Sequence, residues 1–461
     1  MITNNQRQQF QKARLSRDPR FDGLFFVGVK TTGIFCRPIC PANLPLEKNV
    51  EYFDSQQQAI QSGLRPCLRC RPDSAPGSWA WKGVNTTLER GLRLLHEHPH
   101  LSISDIATKL GISERYLHQL LVQHMALSPK QFKLYSQLMS AKQLLHQTQL
   151  SVEDIACAVG FNSSRSLQQH MKSKLDISPS QIRKRKNVPS KNSVTLTLHY
   201  RPPYNWEWVR DFLAARAINA IEHVDTCSYS RSFHCETDEE LSFFKATHDP
   251  TECAFHVELS LTRISALLPV IANIRRVLDL DANPSVVNQG LSASGMPSQL
   301  IDEGIRLPGA WSPFEAACRA VLGQQVSVRS AIKQLNNIIT HLSSSDSLAT
   351  FPTPQQMTNI DNDVLRMPQA RKSALKAIAQ AFVETPSPAP EVLLGLKGIG
   401  PWTVNYIKLR GYSEPNILLS NDLIVARQIQ KLKLQPAQSS PWGSYLTMQL
   451  WQCESLQQQG Q

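Results

Sequence analysis

Four cysteines near the start of the chain constrain its fold more than any other feature. Cys36 and Cys40 are separated by three residues, and Cys67 and Cys70, which follow after 26 further residues, are separated by two. Two such pairs present four sulfurs to one ion, and four thiolates at about 2.3 Å satisfy a tetrahedral Zn²⁺. The pattern therefore predicts one zinc ion in a small domain. A zinc site with four protein ligands usually has only a structural role. The spacing alone therefore does not decide between a structural site and a site with a reactive cysteine.

Charge is distributed unevenly along the chain. Residues 1–193 contain 27 basic and 13 acidic residues, whereas residues 194–461 contain 22 and 24. The excess of basic residues in 1–193 is typical of a protein that binds polyanions, although such an excess can also serve only to keep a protein in solution. No stretch approaches the roughly 18 apolar residues of a membrane span. The first residues are polar and basic, so we expect a cytoplasmic protein whose ten cysteines are thiols.

The residues around the four cysteines resemble a known family. Residues 25–40 read FFVGVKTTGIFCRPIC and residues 65–70 read RPCLRC, which closely resembles the N-terminal zinc domain of Ada, the bacterial methylation-response regulator. The resemblance implies that Cys36 accepts a methyl group irreversibly from a methylphosphotriester in DNA, while the other three cysteines complete the zinc site. Three neighbouring polar residues match the DNA-contacting surroundings of that family, unless they are simply solvated: Thr32, Arg65 and Arg69.

Methyl transfer to a zinc-bound thiolate is chemically reasonable, because zinc keeps the sulfur deprotonated and still nucleophilic. Four thiolates around Zn²⁺ carry a net charge of about −2, and conversion of one to a thioether leaves about −1. Methylation is therefore expected to strengthen binding to DNA phosphates.

A second motif occurs twice, 49 residues apart. Ala107 precedes Gly111 by four residues, and Ala156 precedes Gly160 by the same interval. The small residue lets two helices pack closely and the glycine permits a tight turn, as helix-turn-helix units require. The second helices are predicted at residues 113–119 and 163–169. Their outward side chains are candidates for base readout in the major groove: Ser113, Arg115, Tyr116, Ser163, Ser164 and Arg165.

Residues 84–186 resemble the DNA-binding domain of AraC-type transcription activators. The similarity includes LSP at 127–129 and ISP at 177–179, after the two units. It implies promoter DNA as a partner, and RNA polymerase as the target of activation. The alternative is a plain helical bundle. The basic run RKRK at 183–186 either follows the DNA backbone or is a solvated tail.

The sequence LKGIGPWTVNY at 396–406 is typical of a helix-hairpin-helix. Gly398 and Gly400 suit a tight turn, and Pro401 suits the first position of a helix. The amides of such a turn can hold a DNA phosphate without reading sequence, although an ordinary turn contains the same glycines. Asp422 lies 22 residues after Gly400, where this region resembles the helix-hairpin-helix DNA glycosylases, and that resemblance implies that it is the catalytic carboxylate. An aspartate in that position can also simply cap the following helix.

Residues 194–455 resemble AlkA-type 3-methyladenine DNA glycosylases, with FLAARA at 212–217 and VLGQQVS at 321–327. The resemblance places Asp422 in the catalytic role and implies that a damaged base is flipped into an aromatic pocket, where cationic alkylated purines stack on electron-rich rings. The best-known form has a leucine wedge where this chain has Gln325, so Gln324 or Gln325 is expected to fill the gap in the DNA. The aligned pocket residues are Trp402, Tyr406 and Trp451. For each of them, the alternative is that the side chain is only part of the hydrophobic core.

Two further features refine the expected activity. Trp402 stands where strand-cutting relatives carry a lysine, which implies a monofunctional glycosylase. The motif Pro-Cys-His-Arg of the O6-methylguanine methyltransferase domain that usually accompanies Ada does not occur in the sequence. The glycosylase region occupies its place.

These patterns together predict a multidomain α+β protein that acts as a monomer, both as a DNA-3-methyladenine glycosylase II and as a transcription activator that senses methylphosphotriesters. One alternative is an activator with an inactive glycosylase domain, and another is a zinc and DNA-binding protein without chemistry. The expected parts are a zinc domain (1–78), an all-α double helix-turn-helix domain (83–186), a linker (187–193), an α+β subdomain (194–305) and an all-α helix-hairpin-helix core (306–461).

Overall fold

The chain divides into two compact units, Met1–Pro189 and Ser190–Gln461. A computed structural model describes residues 4–18, 21–67, 69–70, 72, 86–183, 193–235, 241–342 and 349–459. Residues 73–82, which hold the first predicted domain boundary, lie outside the described residues, as do the basic residues 184–186 and the predicted linker residues 187–192. Within the described ranges, no helix is long and apolar enough to span a bilayer.

The first unit begins with one helix packed on a small sheet. The strands are ordered β3-β1-β2-β4, with β2 and β4 parallel and the other neighbours antiparallel. Phe10 stacks on Phe25 with ring centroids 4.2 Å apart, and Tyr52 packs against both rings. A core of this size gains from a bound metal. The elements are α1 (Asn4–Ser16), β1 (Phe26–Val29), β2 (Ile34–Cys36), β3 (Val50–Phe53), α2 (Gln56–Gln61) and β4 (Arg65–Pro66).

The rest of the first unit is helical and contains two helix-turn-helix units joined by a long helix, α6. Ser102 and Asp105 form a capping box at the start of α4, and Gly111 ends that helix in the left-handed region with φ 70°. The helices are α3 (Thr86–Glu97), α4 (Ile103–Leu110), α5 (Glu114–Met125), α6 (Pro129–Gln147), α7 (Val152–Ala158), α8 (Ser164–Leu175) and α9 (Pro179–Ile182).

The second turn depends on its glycine more strictly than the first. Gly160 has φ 80°, and a Cβ atom at this position would lie 2.6 Å from the carbonyl oxygen of Pro99. Only glycine meets both constraints. Leu117 and Leu167 are fully buried, which confirms the predicted inward faces of the second helices, although α5 and α8 extend six residues beyond the predicted ends.

The second unit opens with an antiparallel sheet in the order β5-β9-β8-β7-β6. In the first strand, β5, the side chains of Val194, Leu196 and Leu198 alternate into the core. The elements of this part are β5 (Ser193–His199), α10 (Trp206–Ala214), β6 (Glu222–Val224), β7 (Ser228–Phe233), β8 (Ser242–Asp249), β9 (Ala254–Ser260), α11 (Leu267–Val277) and α12 (Pro284–Ala293).

Helices form the remainder of the second unit. The central helix, α13, is buried from Phe314 to Leu322. The predicted hairpin is present, because Gly398 has φ 88° and Pro401 occupies the first turn of its helix. The helices are α13 (Pro313–Leu322), α14 (Val328–Leu342), α15 (Pro354–Asn359), α16 (Gln369–Glu384), α17 (Pro401–Tyr406), α18 (Leu423–Leu432) and α19 (Gly443–Gln459).

Four buried charges, here called the charged quartet, connect the sheet to α13: Glu222, Arg231, Glu315 and Arg319. Arg231 donates to Glu222 at 3.0 Å and also pairs with Glu315. Arg319 donates to Glu222 and to Glu315, both at 2.8 Å. All four side chains are less than a tenth exposed. Each carboxylate therefore has two guanidinium partners, and removal of one arginine leaves an imbalance of charge in the core.

We expect Arg231→Met to lower the free energy of unfolding of the second unit by about 3–5 kcal/mol, because Glu222 and Glu315 then remain buried with half of their positive partners. Urea unfolding followed by tryptophan fluorescence reports on this unit, since six of the eight tryptophans lie in residues 190–461. The matched control is Arg210→Met, which removes an arginine paired with Asp211 at the surface and should cost less than about 1 kcal/mol. Equal losses for both variants would contradict the assigned role of the quartet.

Candidate functional sites

Parallel pairing of β2 and β4 brings the two cysteine pairs together. Phe35 lies opposite Pro66 in this ladder, and the amide of Cys67 donates to the carbonyl oxygen of Phe35 at 2.9 Å. Cys36 and Cys67 therefore leave the sheet side by side. The sulfurs of Cys36, Cys40, Cys67 and Cys70 all lie within 4.8 Å of one another, and the Cys40 and Cys67 sulfurs are 3.9 Å apart. Since a tetrahedron with Zn–S bonds of about 2.3 Å has edges of about 3.8 Å, the four residues fit zinc.

The protonation of these thiols also favours a cation among them. The pKa of Cys36 is raised, first by its hydrogen bond to Cys40 and then by that to Cys67. The pKa of Cys67 is lowered, first by its hydrogen bond to Cys36. Burial is the main cause that raises the pKa of Cys70. The pKa of Cys40 is also lowered, first by its hydrogen bond to Cys36. Two sulfurs thus ionise more easily while the other two hold their protons, and a divalent cation is what allows all four to ionise.

A buried ion pair beside the cysteines was not anticipated from the sequence. Arg37 is 4% exposed and pairs with both carboxylate oxygens of Asp22 through Nε and one terminal nitrogen, Nη2. Its backbone amide donates to the sulfur of Cys70 at 3.3 Å, and its side chain donates to the Cys70 carbonyl at 3.2 Å. Arg37 therefore fixes the loop between the first two cysteines. An arginine directly after the first cysteine was the available signal, but its partner lies 15 residues away.

The predicted DNA-contacting residues of the zinc domain occupy its surface. Arg65 donates to the carbonyl oxygen of Thr32 at 3.0 Å, so these two residues lie together at the turn between β1 and β2. The Thr32 hydroxyl donates to the Val29 carbonyl at 3.3 Å. Arg69 is exposed, and Cys36 is half-buried.

The helix-turn-helix candidates differ in how their side chains are used. Arg115, Tyr116 and Arg165 are exposed near the starts of α5 and α8. The hydroxyls of Ser113 and Ser163 instead cap these helices, accepting from the amides of Tyr116 and Ser166, each at 3.2 Å. Ser164 is half-buried, and its amide donates to a carboxylate oxygen of Glu153 in α7 at 3.3 Å. The two capping serines therefore have a structural role whether or not they meet DNA.

Gln324 and Gln325 have different surroundings. The side-chain amide of Gln324 donates to the Gly398 carbonyl at 3.1 Å and to the Thr403 hydroxyl at 3.0 Å. The backbone carbonyl of Gln324 accepts from the Arg371 side chain at 2.9 Å. Gln324 thus fixes the hairpin. Gln325 is exposed and has φ 57°, in the left-handed region. Gly400 starts α17 with open space where a Cβ would lie.

Asp422 is held by four N–H groups. One carboxylate oxygen, Oδ1, accepts from the amides of Ile424 at 3.1 Å and Val425 at 3.2 Å, and from the indole nitrogen of Trp451 at 3.2 Å. The other oxygen, Oδ2, accepts from the indole of Trp402 at 3.4 Å. Asp422 is therefore the cap of α18 and also the anion that two tryptophans share. The capping interpretation is therefore confirmed, and the catalytic role stays a prediction.

Two stacked aromatic pairs accompany the carboxylate. Trp402 stacks on Tyr406 with ring centroids 5.3 Å apart, and Trp451 stacks on Phe212 with centroids 6.3 Å apart. The three predicted pocket residues thus occur together around Asp422. Phe212 belongs to the FLAARA motif, but nothing in the sequence set it apart as a pocket residue.

Two guanidinium groups also belong to this cluster. Arg216 lies over the Phe212 ring at 3.7 Å, and Arg410 lies over the same ring at 4.7 Å. Burial lowers the pKa of Arg216 to about 10. Burial by itself raises the pKa of Tyr406, but the positive charges of Arg410, Arg216 and Arg319 outweigh that effect and lower it. Nothing in the sequence indicated a role for Arg410, which lies in a short π-helical turn after α17.

Models of known families match three parts of the chain. The metal binding domain of Ada matches residues 9–73, a helix-turn-helix domain matches residues 106–185, and the AlkA N-terminal domain matches residues 195–312. These matches agree with the three resemblances and with the order of the parts.

Three relatives extend the comparison. DNA-3-methyladenine glycosylase 2 of Escherichia coli is 32% identical over 284 residues, covering 57% of this chain and 98% of that protein. The bifunctional transcriptional activator/DNA repair enzyme Ada of Escherichia coli is 35% identical over 129 residues, covering 28% of this chain and 35% of that protein. The probable bifunctional transcriptional activator/DNA repair enzyme AlkA of Mycobacterium tuberculosis is 31% identical over 475 residues, with 95% of each chain covered. The chain therefore belongs to the family of bifunctional transcriptional activators and DNA repair enzymes that join Ada-type zinc and helix-turn-helix domains to an AlkA-type glycosylase.

Proposed function

We propose that the chain excises alkylated bases of the 3-methyladenine type from DNA with Asp422 as the catalytic residue, and that it senses methylphosphotriesters through Cys36. The observation that carries the first activity is the carboxylate of Asp422 between two tryptophans, each of which belongs to a stacked aromatic pair. An extruded purine needs flat apolar faces, and its sugar needs an anion nearby.

The hydrogen bonds of Asp422 suggest how the carboxylate acts. Oδ1 already accepts three hydrogen bonds, whereas Oδ2 accepts one long one from Trp402. Oδ2 therefore keeps lone pairs for the sugar. There the negative charge stabilises the oxocarbenium-like transition state as the glycosidic bond breaks, and the same oxygen can take a proton from the attacking water. The products are a free base and an abasic site.

In the zinc domain, the Cys36 sulfur attacks the methyl carbon of a methylphosphotriester. An S–C bond forms, the C–O bond breaks, and the electron pair of that bond leaves on the phosphate as a diester anion. Bound zinc keeps the sulfur in its nucleophilic thiolate form. Arg37 and Asp22 hold the loop that carries Cys36 and Cys40. Cys36 and Cys67 are half-buried, whereas Cys40 and Cys70 are buried, so burial favours one of the first two as the acceptor, and the resemblance to Ada assigns the role to Cys36.

Loss of one negative charge at the zinc site then favours DNA, and the exposed Arg115, Tyr116 and Arg165 of the helix-turn-helix units would contact promoter bases. Phosphate contacts would come from Thr32, Arg65, Arg69 and the hairpin glycines Gly398 and Gly400. We further propose that the protein is a monomer in the cytoplasm, at the nucleoid, and that RNA polymerase is the target of activation. The parts are proposed as 1–78, 83–186, 194–305 and 306–461, and the division of the chain at Pro189 supports the linker at 187–193.

We expect Asp422→Asn to reduce the single-turnover rate of 3-methyladenine release by about 100-fold or more, because the negative charge at the sugar is lost. Asparagine caps helices about as well as aspartate, so stability should change by less than about 1 kcal/mol. Release of 3-methyladenine from methylated duplex DNA, measured beside urea unfolding, separates these effects. Full activity in this variant would show that Asp422 is only a cap and would overturn the assignment.

A matched control for the capping role is Thr353→Ala. The Thr353 hydroxyl caps α15 by accepting from the amide of Gln356 at 3.2 Å. Its loss should lower stability by about 1 kcal/mol and leave the rate of base release unchanged.

We expect Cys36→Ala to abolish transfer of a labelled methyl group from a methylphosphotriester in DNA while 3-methyladenine release continues. Promoter binding in the wild-type protein should tighten about fivefold after methyl transfer, from the loss of one negative charge near phosphate, and the variant should show no such change in a binding titration. The exposed Cys227 provides the control Cys227→Ala, which should behave as wild type. Methyl transfer to the Cys36→Ala protein would assign the acceptor to another cysteine.

A further inference from the structure

Three side chains that can bind a metal lie together at the turn between β8 and β9. Asp249 ends β8, Glu252 lies in the turn, and His256 is the third residue of β9. One ligand atom of each residue lies within 4.8 Å of those of the other two. The Nε2 atom of His256 is 3.2 Å from Oδ2 of Asp249 and 3.8 Å from Oε2 of Glu252. One nitrogen and two carboxylate oxygens therefore converge on one point, outside the two sites described above.

The imidazole of His256 is oriented by the neighbouring strand. Thr197 lies opposite His256 in the ladder between β5 and β9, and its hydroxyl is 3.2 Å from the Nδ1 atom of the ring. A histidine that binds a metal usually makes such a bond with its other ring nitrogen, which fixes both the ring and the tautomer. Since the hydroxyl can accept from Nδ1–H, the Nε2 atom keeps its lone pair on the side of the two carboxylates.

The carboxylate of Asp249 is held in place as well. Its Oδ1 atom accepts from the amide and the hydroxyl of Thr251, at 2.8 and 2.6 Å, and from the amide of Glu252 at 3.2 Å. The other oxygen, Oδ2, is the one that faces His256. The Nδ1 atom of His199, at the end of β5, lies 3.3 Å from the carbonyl oxygen of Glu252, which connects the turn to that strand. Two of the three ligands are thus positioned in advance, so binding costs little conformational entropy.

The distances suit a divalent transition metal. Bonds of about 2.1 Å to nitrogen and oxygen at tetrahedral angles separate the ligand atoms by about 3.4 Å, which is close to the observed 3.2 and 3.8 Å. The Glu252 side chain is 57% exposed, so it is free to approach the other two ligands. An imidazole beside two carboxylates favours zinc over calcium or magnesium, because the last two prefer oxygen ligands alone. The alternative is an ion pair in which a protonated His256 faces the two carboxylates without a metal.

We propose that Asp249, Glu252 and His256 bind a second divalent transition-metal ion, separate from the zinc of the four cysteines, with water in the remaining position. The ion neutralises two carboxylates that lie close together, and it fastens the turn after β8 to β9. A metal that binds only the folded state stabilises that state, so the ion supports the sheet of the second unit independently of base excision and methyl transfer.

Calorimetric titration with Zn²⁺ tests the proposal on the full-length protein, after its four-cysteine site has been filled with one equivalent of zinc. The wild-type protein should bind one further zinc ion per chain. His256→Gln should weaken this binding by at least about 100-fold, and Thr197→Val by about tenfold, because the imidazole then loses the hydroxyl that orients it. His256 is 41% exposed, so its replacement should leave the protein folded. The added zinc should also raise the urea midpoint of the second unit in the wild type but not in His256→Gln.

Two control variants separate this site from other surface ligands. His223→Gln replaces an exposed histidine of β6 in the same sheet and should change the second zinc affinity by less than about twofold. Cys253→Ala removes the thiol of the same turn and should also retain the second zinc. Absence of a second equivalent in the wild type would mean that the three residues form only an ion pair. A second equivalent that survives in His256→Gln, or that is lost in Cys253→Ala, would show that other ligands hold the ion, and either result would overturn the inference.

Discussion

The second unit depends on the charged quartet that joins its sheet to α13. Each carboxylate, Glu222 and Glu315, accepts hydrogen bonds from both Arg231 and Arg319. Arg319 also donates to the backbone carbonyl of Arg216 at 2.7 Å. Because a buried charge tolerates little displacement from its partners, the quartet fixes both the backbone that carries Arg216 and the helix whose end leads to Gln324. The geometry of the aromatic pairs around Asp422 therefore depends on ion pairs that do not themselves contact a substrate.

Features set by short-range spacing were predictable from the sequence. The four cysteines, the two helix-turn-helix units and the hairpin glycines are each defined within a few residues, and the structure contains all of them. Asp422 was identified through its distance from the hairpin together with the family resemblance. The sequence also indicated that this aspartate can cap a helix, and the structure shows the cap.

Features set by long-range packing were not predictable in the same way. Asp22 meets Arg37 across 15 positions, and Arg410 meets the Phe212 ring across almost 200. No local pattern encodes such contacts, because they depend on how separate elements pack. Gln324 and Gln325 illustrate the difference within two positions. The sequence offered them as equals, whereas tertiary hydrogen bonds hold the first against the hairpin and leave the second exposed in a left-handed conformation.

The proposed catalytic residue, Asp422, also caps a helix, and this has a consequence for how the domain changes over time. In most enzymes a reactive group drifts freely once selection for catalysis ends, since active-site residues commonly contribute little to folding. Here the same side chain satisfies two amides at the start of α18 and two indole N–H groups, so replacement by an apolar residue leaves four donors without an acceptor. A lineage that abandoned base excision would therefore be expected to keep a short polar residue at this position, and the presence of aspartate alone is a poor guide to whether a descendant is still active.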